Sequence, residues 1–198
     1  MQAKIIKGIK YLYDELTHFV IKDPNGYVSL EDEKERYDEH HNDLNDPNYH
    51  AYQSKILEQY IRPYLKKGNV LEFGCGQERV LEALLVDYDV SSYDLFYHPN
   101  EAIFEQRFDH IITIETVEHF KQPFDEFMRF HRLLNDQGHL IVMTQFKPPF
   151  DLFDDWWYIR DKTHICFYDL HVFEYLAKTI GFEIVHTNHK NFIVLKKI

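Results

Sequence analysis

The run Val70-Leu71-Glu72-Phe73-Gly74-Cys75-Gly76 constrains this chain more than any other stretch. An apolar segment of strand character ends on two glycines one residue apart. Val80, Leu81, Leu84 and Leu85 then follow at helical spacing. Glycines at such a junction let the backbone turn tightly and approach a ligand closely. The next helix offers unpaired N–H groups and the positive end of its dipole. Eighteen residues after Gly76 stands Asp94, at the end of the next expected strand, residues 89–94. In doubly wound sheets, ligands bind beyond the carboxyl ends of the strands, and an acid there accepts ribose hydroxyls.

The rest of the chain repeats that alternation. Residues 69–73, 89–94, 108–114 and 139–144 read as strands. Pro123 opens a helix with Phe124, Phe127, Met128, His131 and Leu134 on one face. Asp169 caps another that turns Phe173, Leu176, Ala177 and Ile180 inward and closes at Gly181. Such alternation implies a parallel sheet with helices on both faces. Residues 182–187 and 192–197 are joined too tightly for a crossover, so the last strand runs antiparallel. The expected fold is therefore α/β: a doubly wound, mostly parallel, Rossmann-like sheet with an antiparallel last strand.

Residues 46–198 carry this pattern, and residues 1–45 read as an N-terminal arm or lid. Within the arm, Asp23-Pro24-Asn25-Gly26 lies between the apolar runs Phe19-Val20-Ile21 and Tyr27-Val28, which suggests a hairpin. The charged stretch 31–46 reads as a solvated helix or lid. Asp46-Pro47 then opens a helix whose Tyr52, Ile56, Tyr60 and Tyr64 form one apolar stripe, ended by Gly68.

Charge and cysteine usage narrow the partners. The 22 basic against 33 acidic residues give a net charge of −11, which argues against a nucleic-acid surface. The two cysteines, Cys75 and Cys166, lack CxxC spacing. That excludes a disulfide scaffold and a thiolate zinc site and fits a reducing compartment. No apolar run approaches the roughly 18 residues of a membrane span, and the N-terminus lacks an apolar signal core. The expectation is a soluble, cytoplasmic protein that acts on a small molecule. No pattern in the sequence specifies an oligomeric state.

The chemistry of the glycine turn is more specific than nucleotide binding in general. Position 79, where a dinucleotide fingerprint has its third glycine, is Arg79. Glu72, two residues before the first glycine, suits a cationic ammonium better than a pyrophosphate. Here the sequence resembles the seven-stranded class I S-adenosylmethionine-dependent methyltransferases, whose first motif is an apolar strand, Asp or Glu, then GxGxG. The resemblance covers roughly residues 49–198. It implies that Glu72, Gly74, Cys75 and Gly76 surround the methionine part of S-adenosylmethionine. It further implies that Asp94, with Leu95 beside it, holds the ribose, and that Glu115 lines the same pocket. Two departures stand out. Position 78 is Glu78 instead of the third glycine, and residues 95–107 are too few for the usual further helix and strand with its adenine-binding acid.

Glu115-Thr116-Val117-Glu118-His119 follows directly on the strand 108–114. On a helical turn, Glu115, Glu118 and His119 share one face, and two carboxylates with an imidazole suit a hard divalent cation. The pattern is similar to one in metal-assisted O-methyltransferases, where a later histidine completes the set; the matching residue here is His164. That resemblance implies a divalent cation on Glu115, Glu118, His119 and His164. The alternative is a Glu-His pair that only lines the cofactor pocket. The segment 150–168 should overhang the site, with Trp156 and Trp157 as a substrate wall. Tyr37, His40 and Asn42 are lid candidates. Together these features predict methyl transfer to a hydroxyl of a small molecule, with His164 or His119 removing the proton. The rival expectation is a catalytically silent cofactor-binding or regulatory subunit.

Overall fold

In the computed structural model, residues 1–39 and 43–198 are described, so the lid candidates His40 and Asn42 lie outside the described residues. The main sheet has six strands: β4 (Asn69–Phe73), β5 (Asp89–Tyr93), β6 (Phe108–Ile114), β7 (Leu134–Met143), β9 (Phe182–Thr187) and β10 (Phe192–Lys197). Their order is β5-β4-β6-β7-β10-β9. The pairs β4·β5, β4·β6 and β6·β7 are parallel, and β10 runs antiparallel to both β7 and β9. The antiparallel ending is as expected. The short stretch after β5 forms a 3-10 turn (Glu101–Glu105) and, among the described residues, no further strand, which leaves β5 at the edge.

Alternation along the strands buries both faces. Leu71, Ile111, Leu140, Val142, Ile193 and Leu195 pack against helices α4 (Pro123–Leu133) and α5 (Leu170–Ile180). Val70, Ile112, Ile141, Met143 and Val194 pack on the opposite side against the end of α2 (Pro47–Ile56) and α3 (Val80–Leu84). Strands covered on both faces read as continuous apolar runs, which is why they were visible in sequence. Helix α5 is as expected, with Asp169 accepting from the Val172 amide and Gly181 closing it at φ 106°. On α4, Phe130 and Leu133 are buried where Met128 was expected, and Met128 faces outward.

The N-terminal region differs from expectation in its hairpin. Asp23 accepts from the Asn25 amide and Pro24 starts a 3-10 turn, so no strand follows β3 (Val20–Lys22) there. The hairpin is instead β1 (Gln2–Ile6) with β2 (Ile9–Tyr13), joined by Lys7-Gly8 at φ 50° and 82°. Both central residues positive is the signature of a type I′ turn. Strand β3 continues this second sheet, and β8 (Cys166–Phe167) completes it, pairing Val20 with Phe167. Helix α1 (Leu30–Asp38) is capped by Ser29 and is not wholly solvated, since Glu33 is buried. Helix α2 starts at Asp46 as expected but passes into a π-turn (Leu57–Ile61) and a 3-10 turn (Arg62–Tyr64); Tyr52, placed on its apolar stripe, is exposed. No described helix is long and apolar enough to cross a membrane.

Candidate active site

A cavity of about 760 Å³ lies beyond the carboxyl ends of β4, β5 and β6, within the range of small-molecule sites. Glu72, Gly74, Cys75, Gly76, Asp94, Leu95, Glu115, His119 and His164 all line it. Glu118 lies directly behind the wall, fully buried. Helices α1 and α2 roof it through Leu30, Glu33, Tyr37, Tyr49, Tyr52 and Gln53. Of these roof residues, the sequence marked Tyr37 as a lid candidate and Tyr52 only as part of an apolar stripe, because a roof residue depends on how the arm folds back.

At the glycine turn, Gly74 (φ 79°) and Gly76 (φ 62°) both take the left-handed conformation. Their demands differ. A Cβ on Gly74 would lie 2.2 Å from Thr116 Oγ1, whereas one on Gly76 would meet nothing within 4 Å. Gly74 therefore allows close packing, and Gly76 leaves ligand space clear. The third left-handed residue is Arg79 (φ 47°), at the start of α3. The turn thus bends at position 79, one residue later than the family's third glycine.

Asp94 organises this end. Its Oδ2 accepts from the Gly76 amide (3.0 Å), and its Oδ1 from the Phe96 and Tyr97 amides (2.9 and 3.1 Å). Oδ1 is filled by its two donors, whereas Oδ2, with one, keeps a second lone pair for a ribose hydroxyl. Glu72 behaves differently from the expected ammonium partner. Its carboxylate accepts from the Leu81 and Glu82 amides of α3 at 3.1 and 3.2 Å and from Ser92 Oγ at 3.2 Å. Helix α3 has no side-chain N-cap of its own, so Glu72 supplies one from the neighbouring strand. Burial nevertheless pushes its carboxyl up to about 7, against those hydrogen bonds.

The opposite end collects acid and imidazole. Glu115 sits at φ 48°, before a 3-10 turn (Val117–His119) and not on an α-helix. The one-face spacing expected for Glu115, Glu118 and His119 therefore fails for Glu115. Tyr158, missed in sequence, separates the carboxylates. Its hydroxyl contacts Glu115 Oε2 at 2.8 Å and also Glu118 Oε1. Thr144 donates to the other Glu118 oxygen at 2.9 Å. Burial, then the neighbouring Glu115, raises the Glu118 carboxyl. Glu115 is accessible from the cavity yet enclosed by protein, and that enclosure raises its carboxyl as well.

Glu118, His119 and His164 come together, one ligand atom of each lying within 4.8 Å of the others. His164 Nε2 is 4.0 Å from Glu118 Oε1. Each imidazole is oriented from behind: His119 Nδ1 lies 3.0 Å from the Thr163 carbonyl, and His164 Nδ1 lies 2.9 Å from that of Tyr158. A carbonyl can only accept, so each Nδ1 carries the proton and each Nε2 the lone pair. Burial drives the His164 imidazole down to about 4, against the pull of Asp161. Of the two tryptophans, Trp157 lines the cavity. Trp156 instead packs with Phe153 and Phe167 beneath the second sheet, because successive residues of that turn point apart.

Residues 48–187 match the family described as "Methyltransferase domain". No curated protein matches the chain significantly. Among solved structures, Burkholderia thailandensis 1,6-didemethyltoxoflavin-N1-methyltransferase, with bound 1,6-didemethyltoxoflavin and S-adenosylhomocysteine, aligns at TM-score 0.61 and 15% identity, over 94% of this chain and 98% of that one. S-adenosylmethionine-bound CalS10, an amino pentose methyltransferase from Micromonospora echinaspora, aligns at 0.56 and 9%, over 87% and 98%. The cyclase SpnF aligns at 0.55 and 11%, over 75% and 80%. At these identities the structures speak for the fold alone, and SpnF shows that one fold hosts more than one chemistry. The family match spans most of the sequence, and with the sheet order it establishes that the chain belongs to the methyltransferase domain family, with the class I, Rossmann-like fold.

Proposed function

We propose that this protein binds S-adenosylmethionine in the 760 Å³ cavity and transfers its methyl group to a hydroxyl of a small molecule. The carrying observation is the continuity of that cavity. It runs from Gly74, Gly76 and Asp94 at one end to His119, Tyr158 and His164 at the other, so cofactor and acceptor share one cavity. When bound, the cofactor supplies an electrophilic methyl on a sulfonium. The chain's own residues do the rest. Asp94 fixes the ribose, the glycine turn admits the methionine part, and the roof from α1 and α2 excludes water. Alignment of nucleophile and methyl contributes most of the rate, and a placed base adds roughly 10²- to 10⁴-fold. His119 fits that role better than His164, because an imidazole held near 4 is a poor acceptor at neutral pH.

Saturating S-adenosylhomocysteine should raise Tm by roughly 5–10 °C, the size expected at about one hundred times Kd for a chain this long. NAD should not. Stabilisation by NAD alone would refute the cofactor assignment. Asp94→Ala removes the ribose contact and frees three backbone amides. It should weaken S-adenosylhomocysteine by about 1.5–3 kcal/mol in calorimetry.

A second reading adds a divalent cation to the acceptor end, supported by the convergence of Glu118, His119 and His164. Both imidazoles are oriented by carbonyls through Nδ1, as metal-ligating histidines are. In that reading these three residues hold the ion, Glu115 stays with Tyr158, and the ion would lower the pKa of the acceptor hydroxyl. Mn²⁺ should then raise Tm in the presence of S-adenosylhomocysteine, and Glu118→Gln should abolish the rise. No shift with Mn²⁺, Mg²⁺ or Zn²⁺ would leave His119 as the base.

A further inference from the structure

Helix α1 turns one carboxylate inward over the acceptor end. Glu33 is 8% exposed, while Glu31, Asp32 and Glu35 on the same helix face solvent. Its side chain accepts from the Tyr37 hydroxyl at 2.9 Å, and both residues line the cavity. The Tyr37 ring in turn meets His119 edge-on, centroids 5.2 Å apart, and Phe96 at 5.7 Å, which places this corner beside the reacting end, where it meets the loop after β5.

The helix has two cations of its own, and both are engaged elsewhere. Lys34 pairs with Asp38, and Arg36 pairs with Glu39 and Asp161. Among the described residues, Glu33 has no cation within ion-pair distance; Lys121, exposed and also lining the cavity, acts on it from farther away. A carboxylate held out of water without a counter-charge is costly, and its burial raises it above the usual range. A helix needing only solubility would turn this residue outward. The same cavity is lined by the aromatic side chains of Tyr37, Phe96 and Trp157, and aromatic ring faces attract organic cations.

We propose that Glu33 is the charge-selecting residue of the acceptor end, receiving a protonated or quaternary amine carried by a hydroxylated methyl acceptor. This assignment rests on the methyl-transfer reading above and narrows its substrate class to cationic hydroxyl compounds. The amine supplies the close counter-charge that Glu33 lacks among the described residues, and it anchors the molecule so that its hydroxyl reaches His119.

Three phenols of similar size test this by calorimetry with S-adenosylhomocysteine present: tyramine, 4-ethylphenol and 4-hydroxyphenylacetate. They differ chiefly in carrying a positive, absent or negative charge. Tyramine should bind roughly tenfold or more tightly than 4-ethylphenol, and 4-hydroxyphenylacetate most weakly. In Glu33→Gln, whose amide oxygen still accepts from Tyr37, the fold and S-adenosylhomocysteine affinity should persist while the preference for tyramine collapses. Equal binding of tyramine and 4-ethylphenol, no binding of tyramine at millimolar concentration, or a preference surviving in Glu33→Gln would overturn the assignment. If S-adenosylhomocysteine itself fails to bind, the methyl-transfer reading falls. The ranking of the three phenols without it, and its dependence on Glu33, then still decides the charge assignment.

Discussion

Gly74→Ala should destabilise the protein by about 2–5 kcal/mol, combining the left-handed backbone cost of about 1–2 with about 1–3 for overpacking. The second contribution has a named source. The new methyl would sit 2.2 Å from Thr116 Oγ1 and 2.4 Å from its Cγ2, far inside contact distance. Thr116 cannot simply rotate away, since its hydroxyl donates to the Ile114 carbonyl at 3.0 Å. In denaturant titrations the midpoint should fall with little change in slope. Adding Thr116→Gly should restore the packing share and leave the backbone share. A Gly74→Ala variant of unchanged stability would show that the β4 turn and the loop after β6 are not packed as described.

Gly76→Val should do the opposite: keep most of the fold and lose the ligand. Space beside Gly76 is clear of protein atoms, so the clash that dominates at Gly74 is absent, although valine at φ 62° still costs about 1–2 kcal/mol. Because Gly76 lines the cavity, the added isopropyl group occupies room the cofactor requires. Affinity for S-adenosylhomocysteine should fall at least about 100-fold, or about 2.8 kcal/mol. Calorimetry beside far-UV circular dichroism separates binding from folding. Unchanged affinity in a folded Gly76→Val variant would move the cofactor away from this turn. The two glycines, one residue apart in the same motif, should thus fail in different assays.

What could be read in the sequence follows the range of the interactions involved. Gly74, Gly76 and Asp94 were legible because a strand, a tight turn and the next strand fix their relation locally. The antiparallel ending was legible because four intervening residues cannot cross a sheet. The orientation of Glu72 was not legible, since the direction of its carboxylate depends on α3 lacking a cap, a fact about the neighbouring element. Glu115 was misplaced by assuming an α-turn where its φ of 48° precedes a 3-10 turn. Tyr158 reaches Glu115 and Glu118 across 43 and 40 residues, beyond any periodicity. Glu33 was invisible for the same reason, hidden in a charged run that looked uniformly solvated.

The pairing of β3 with β8 has a consequence for the order in which the molecule is built. Val20 meets Phe167, and Lys22 Nζ donates to the Lys162 carbonyl across 140 residues, so the wall holding His164 is tied to β3. Closing so long a loop delays those contacts relative to the β4–β7 units, whose partners are near in sequence. The contacts that fix the cofactor end are therefore local, whereas those that fix the wall carrying His164 join segments more than a hundred residues apart.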